Sequence, residues 1–184
     1  MQTAEAGLRT VADYMQMPDD GTRYELIDGE LLMAPAPNRY HQQILGNLFL
    51  VLGNYVRKKR LGKLYFAPFD VILDEHNVLQ PDIIFFSNAR ASALTKAGAT
   101  GAPDLAIEII SPGAEKRDRE LKRKVFARSR VEELWLVLPD KKRIDIYRLA
   151  ENPERPRLTV SGSDEFESKL FPGLTIAAAE VFAD

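Results

Sequence analysis

Residues 104–113 read DLAIEIISPG. The run is short, apolar almost throughout, and it ends in a Pro-Gly turn signal, so it predicts one buried strand of a sheet. Glu108 interrupts it, with Ile107 before and Ile109 after. An ionised carboxylate removed from water without a partner is unfavourable, so this one needs a cation, a metal or water beside it. Strand parity places Glu108 on one face with Ala106 and Ile110, and Ile107 and Ile109 on the other. The small Ala106 leaves room next to the carboxylate. Two readings are open at this point: an ordinary acid on a half-exposed strand, or a buried acid that serves a ligand.

Two further stretches carry the same oddity. Asp82 follows Pro81 and opens the apolar run Ile83, Ile84, Phe85 and Phe86. Residues 114–130 have a helical pattern. With a step of about 100° per residue, Leu121, Lys122, Val125, Phe126 and Ser129 fall on the same side as Asp118. Lys116, Arg117, Glu120, Arg123, Lys124 and Arg128 fall outside that arc or at its margin. Lys122 is therefore the one lysine of a lysine-rich helix that points with the core residues. It is either a snorkelling lysine paired to Asp118 at i, i+4 or part of a site. Two acids on neighbouring apolar strands and one inward lysine suit metal-assisted phosphodiester hydrolysis. Carboxylates hold a hard divalent cation that keeps several waters. The cation activates water, and the lysine supports charge on the phosphate.

Five stretches in this order resemble one family: YELIDGELLMAPAPNRYHQQI (24–44), VLQPDIIFF (78–86), LAIEIISPG (105–113), RDRELKRKVFA (117–127) and VEELWLVLPDKKRIDIYRL (131–149). They resemble the small restriction-endonuclease-like proteins of bacteria long catalogued as a domain of unknown function. Those proteins are classed in the PD-(D/E)XK nuclease superfamily. The resemblance spans about residues 8–182. It implies an α/β restriction-endonuclease-like core: a mixed central sheet of four or five strands flanked by helices, with N-terminal and C-terminal hairpin additions. It also implies a Mg²⁺- or Mn²⁺-dependent endonuclease acting on DNA. The alternative on the same fold is a non-catalytic or regulatory nucleic-acid-binding protein.

Carried over by position, Asp82 takes the place of the motif aspartate and Glu108 that of the second acid, and both are the expected metal ligands. The superfamily lysine would stand at 110, where this chain has Ile110. In this family the lysine moves to the following helix in a D-x-x-x-K-x-x-x-Y pattern. Asp118 and Lys122 match that pattern, and Phe126 replaces the tyrosine. Catalysis is expected from Asp82, Glu108 and Lys122. Accessory candidates are Glu25, Glu30, His41, Asp70, Gln80 and Asp118. Glu25 and His41 are equally open to purely structural roles, the histidine as a cap or packing residue. Trp135 reads as core.

The remaining elements frame that core. Thr10 is expected to cap a short helix through Met15, and Asp28-Gly29 to turn a hairpin. A 3.6-residue pattern predicts a helix over 40–60, with Gly62 at its C-terminal cap. Strands are expected at 63–67, 69–73, 82–86, 104–110, 133–138, 143–149 and 158–160. A short helix and loop are expected at 87–102, and a final helical turn at 177–182. One domain of 184 residues is expected, with its core at about 22–150 and an extension at 151–184 packed on it.

Composition limits the rest. The absence of cysteine excludes thiolate metal sites, and with only His41 and His76 a multi-histidine zinc site is not expected. No run is long enough to span a membrane, and the N-terminus lacks an apolar signal region, so a cytoplasmic location is expected. The net charge of −2 argues against a tight, unspecific DNA coat. Local basic runs at 57–63 and 115–130 offer Arg57, Lys58, Lys59, Arg60, Lys116, Arg117 and Arg119 to a DNA backbone, or are simply solvated helix faces. A homodimer is expected, because the superfamily often cleaves as pairs.

Overall fold

A computed structural model describes residues 8–18, 21–34, 36–111 and 116–184, and of residues 116–118 the backbone only. In chain order the elements are α1 (Val11–Tyr14), β1 (Tyr24–Ile27), β2 (Glu30–Met33), α2 (Arg39–Lys59), β3 (Gly62–Phe66), β4 (Asp70–Asp74), β5 (Asn77–Leu79), β6 (Ile83–Ser87), β7 (Gly98–Thr100), β8 (Leu105–Ile109), α3 (Lys116–Arg128), β9 (Glu133–Leu138), β10 (Arg143–Arg148), β11 (Leu158–Ser161), β12 (Glu165–Glu167), β13 (Thr175–Ala177) and α4 (Ala178–Val181). Short 3₁₀ turns occupy Asn88–Ala93 and Pro139–Lys141.

The central layer is a mixed six-stranded sheet in the order β11-β10-β9-β8-β6-β3. β8 and β9 run parallel, and α3 makes the crossover between them. All other neighbours in this sheet are antiparallel. The opening stretch forms β8, third from one edge, and each of its five residues is buried. This settles the first question raised by Glu108: it does not lie on a half-exposed strand.

The two faces of the sheet are covered differently. Ile83, Phe85, Ile107, Ile109, Trp135 and Val137 pack against the apolar stripe of α2, made by Ile44, Leu45, Leu48, Leu52 and Val56. Ala106, Leu134, Leu136 and Leu138 on the other face pack against Val125 and Phe126 of α3. Each fully buried side chain of this size contributes roughly 1.5–3 kcal/mol. Trp135 is fully buried as expected of a core residue, and its indole N–H donates to Glu133 at 3.1 Å.

A second sheet of five strands, β2-β1-β5-β4-β7, packs its Val71 and Ala99 against Ile84 and Phe86. The strand count therefore exceeds the four or five that the resemblance implies. The N-terminal hairpin continues into this second sheet, and the hairpin β9–β10 extends the central one. The hairpin turn has positive φ at both Asp28 (51°) and Gly29 (77°), the backbone that Asp-Gly favours.

Helix ends follow local chemistry. The Thr10 hydroxyl accepts from the Asp13 backbone, and the Asp13 carboxylate accepts from Thr10 N–H, a complete capping box. α2 is capped by Asn38, whose side chain accepts from His41 N–H at 2.8 Å. Its C-terminal end differs from expectation. Arg60, with φ 55°, takes the left-handed cap position assigned to Gly62. Gly62 instead begins β3, where a Cβ would overlap the carbonyl oxygen of Phe86. Residues 87–102, expected as helix and loop, form a 3₁₀ turn and then β7.

Candidate active site

The two faces meet at one end of β8 in a cavity of about 90 Å³, large enough for several waters. Its polar lining comes from the hairpin, the start of α2, the segment before β6, the end of β8 and the first two turns of α3. The register Ile83↔Ile107 and Ile84↔Ala106, extended by one residue, sets Asp82 opposite Glu108. Both acids are buried, at 8% exposure each.

Lys122 reaches this cavity from α3. Its Nζ lies 2.7 Å from Glu25 Oε2 and 3.2 Å from Glu108 Oε2. The helical wheel selects Lys122 as the inward lysine, and the structure shows its target. Glu25 is held from behind: its Oε1 accepts from the Gln80 backbone N–H at 2.8 Å. The Gln80 side-chain amide donates to Asp70 Oδ1 at 2.7 Å, and its oxygen accepts from Arg23 Nε at 3.2 Å. The Tyr14 hydroxyl also donates to Asp70 Oδ1, at 2.8 Å. Burial and the neighbouring Asp70 push the ionisation of Tyr14 well above its usual range, so it remains a donor.

Asp82 is oriented by two groups. Its Oδ2 accepts from the Ile109 backbone N–H at 2.7 Å and lies 3.2 Å from His41 Nε2. His41 arrives here because Asn38, and not the histidine, caps α2. The imidazole is then free to turn inward, and its Nδ1 is buried without a hydrogen-bond partner among the described residues.

Electrostatics separates this cluster from other buried acids. Asp104, also in the opening stretch, accepts from Ser87 N–H at 2.6 Å and pairs with Arg90 at 3.2 Å. Glu133 accepts from Trp135 and Ser168. Those are satisfied structural acids. Around Glu108 two carboxylates, Glu25 and Glu108 itself, bind one lysine, and Asp82 stands in the same cavity. Burial raises the Glu108 carboxyl to about 8, Lys122 opposes that rise, and the negative charges of Glu25 and Asp82 reinforce it. A cation beside Glu108 would relieve the cost of its charged form.

The family model described as "Putative restriction endonuclease", Uma2, matches residues 11–179. The chain belongs to the Uma2 family. The resemblance read from the five sequence stretches is borne out by this match. A crystal structure of "a putative nuclease belonging to DUF820" from Anabaena variabilis superposes on this Uma2 chain with a TM-score of 0.80. It covers 94% of this chain and 97% of its own, at 20% sequence identity, and so supports the restriction-endonuclease-like fold. A comparison with curated proteins finds no match.

In this Uma2 chain the candidates separate clearly. Glu25, His41, Gln80, Asp82, Glu108 and Lys122 share the cavity. Asp70 lies behind Gln80 and does not line it. Glu30 is exposed on β2, also away from the lining. The side chains of Lys116, Arg117 and Asp118 lie outside the described residues. Arg119 lines the cavity, as does Arg23, which nothing in the sequence pattern singles out. Arg57, Lys58, Lys59 and Arg60 are exposed at the far end of α2, roughly 24 Å along the helix from His41 at 1.5 Å per residue. Arg123, placed at the margin of its helix by periodicity, is buried at 8% exposure. Its guanidinium stacks 5.7 Å from the Tyr147 ring and bonds Glu154 at 2.8 Å. No described helix is long and apolar enough to cross a membrane.

Proposed function

We propose that this chain is a divalent-metal-dependent endonuclease that hydrolyses phosphodiester bonds of DNA. The observation that carries the reading is the pairing of Glu25 and Glu108 with Lys122 in the cavity that Asp82 also lines, with Glu108 disfavoured as a bare carboxylate. Among the described residues no set of three or more Asp, Glu or His side chains is spaced as a metal cage. Mg²⁺ does not require one, since it typically binds one or two carboxylates and keeps its waters. Asp82 and Glu108 would hold Mg²⁺ or Mn²⁺. When bound, the ion would lower the pKa of water and stabilise charge on a phosphoryl oxygen.

The chain's own residues supply the rest. His41 and the Ile109 N–H hold Asp82 facing Glu108. Lys122, anchored by Glu25 and Glu108, is placed to donate to a non-bridging oxygen of the scissile phosphate. Glu25, fixed by Gln80, keeps the ammonium in the cavity. Arg23 and Arg119 line the mouth and suit flanking phosphates. Lys122 thereby takes the part of the lysine that Ile110 cannot play. A homodimer belongs to the same proposal and is checked by the mass of the protein in solution.

The test is cleavage of supercoiled plasmid, linear duplex and single strands with Mg²⁺ or Mn²⁺. The wild type is expected to nick plasmid only with metal, and Asp82→Asn and Lys122→Ala are expected to lose the activity. Metal-dependent nicking that survives both substitutions removes the proposed site. DNA retention without cleavage, steeply weakened by salt, selects the non-catalytic binding protein instead.

A further inference from the structure

A second cavity, of about 250 Å³, lies between α3 and β10 on the same face of the sheet. Arg119, Arg123, Lys141, Arg143 and Tyr147 line it. Three of its guanidinium nitrogens, Arg119 Nε, Arg123 Nη1 and Arg143 Nε, are buried and have no hydrogen-bond partner among the described residues. Buried donors in folded proteins nearly always find an acceptor, and charged ones are the most unfavourable to leave without one. Arg123 is itself only 8% exposed, so solvent does not explain its orphaned nitrogen.

The acids nearby do not fill the gap. Glu154 takes Arg123 Nη2 at 2.8 Å, and Asp145 takes Arg143 Nη2 at 2.8 Å and the Thr159 hydroxyl at 2.8 Å. Glu120 also lines the cavity. Arg123 and Arg143 each present one edge to a carboxylate and leave another N–H unanswered. Four cationic side chains against three acids leave an excess of one positive charge. That balance suits a singly charged oxyanion with several acceptor oxygens.

We propose that this cavity binds a phosphate-type oxyanion. Arg119 lines both this cavity and the one around Glu108, so the two sites adjoin. On the nuclease reading, on which this assignment of source rests, the ligand is a backbone phosphate of the bound strand beside the one to be cleaved. The second cavity then sets the register of the strand. A free phosphate compound is the other source with the same chemistry.

The experiment uses the full chain without metal. Inorganic phosphate is titrated while the arginine Nε–H signals are followed by NMR, in wild type, Arg143→Met, Arg123→Lys and the exposed-site variant Lys141→Ala. The affinity for a labelled DNA duplex is measured across salt in parallel, and thermal melting checks that each variant folds. Phosphate is expected to give saturable shifts at Arg119 and Arg143 in the wild type, with the Arg119 shift lost in Arg143→Met. DNA affinity is expected to fall about tenfold in Arg143→Met, with a salt slope shallower by about one. Saturable phosphate shifts with DNA affinity unchanged in every variant support the anion site and assign it to a free phosphate compound. The same shifts in a protein that binds no DNA also support it, while the nuclease reading fails alone. No saturable shift, together with unchanged DNA affinity and slope in Arg143→Met and Lys141→Ala, overturns the proposal.

Discussion

Replacing Glu108 by Gln should make the metal-free protein more stable above neutral pH. Burial holds the Glu108 carboxyl at about 8, against an ordinary value of 4.5. A carboxyl raised on folding binds its proton more tightly in the native state than in the unfolded chain. Its contribution is therefore complete below about pH 4.5 and is lost as pH climbs toward 8. A rise from 4.5 to about 8 corresponds to about 5 kcal/mol between the two protonation states. Glutamine has the shape of the protonated acid and does not titrate, so Glu108→Gln escapes that loss. The variant gives up one acceptor for Lys122, which keeps Glu25 at 2.7 Å. The net gain expected at pH 9 is about 2–5 kcal/mol, falling to near zero at pH 5. Urea denaturation in EDTA at pH 5, 7 and 9 measures it. Added Mn²⁺ should then stabilise the wild type and leave Glu108→Gln unchanged. Parallel stability profiles across pH, or a variant less stable than wild type at pH 9, would refute the view that Glu108 is held as an unfavourable carboxylate awaiting a cation.

Lys122→Met leaves Glu25 and Glu108 facing each other without their shared cation, and should cost about 3–5 kcal/mol at pH 8 by chemical denaturation. Tyr14→Phe removes one donor from Asp70, two layers behind the cavity, and should cost about 0.5–1.5 kcal/mol while leaving metal affinity intact. Arg128→Ala breaks the half-exposed pair with Asp28 and serves as a control, with an expected loss under about 1 kcal/mol. Changing Arg57, Lys58, Lys59 and Arg60 together to serine should leave cleavage of a short duplex near wild type, since they stand at the far end of α2. On long DNA it should make the salt slope of binding shallower by up to about one for each phosphate that is no longer neutralised.

Much of the central layer is legible because its strands are long, apolar runs bounded by turn signals, as β6, β8 and β9 show. α2 and α3 follow from periodicity alone. The second sheet is legible only in part: its hairpin and β4 are expected, but β5 and β7 have three residues each and carry no pattern of their own. β5 exists through pairing with Leu26 and with β4, which is tertiary information. Arg123 escapes for a similar reason: periodicity cannot foresee that Glu154, from a distant loop, will cover it. In the site, Asp82, Glu108 and Lys122 each violate the local hydrophobic pattern, so each stands out. Glu25 does not, since an acid in a short hairpin strand is ordinary. Its value lies in its pairing with Lys122, 97 residues away. His41 is ambiguous in the sequence because a polar residue near a helix start resembles a cap. Asn38 three residues earlier resolves it only once the cap geometry is seen. Recognition of the five ordered stretches adds what periodicity cannot, namely that these particular exceptions belong together.

The central claim is that Asp82 and Glu108 together hold a divalent cation beside Lys122. Anomalous diffraction from a Mn²⁺-soaked crystal tests it most directly, with Asp82→Asn crystals soaked alongside. A single manganese peak coordinated by Asp82 and Glu108, next to the Lys122 amine and absent from Asp82→Asn, is the predicted result. Manganese bound elsewhere, or an unchanged peak in Asp82→Asn, would contradict it.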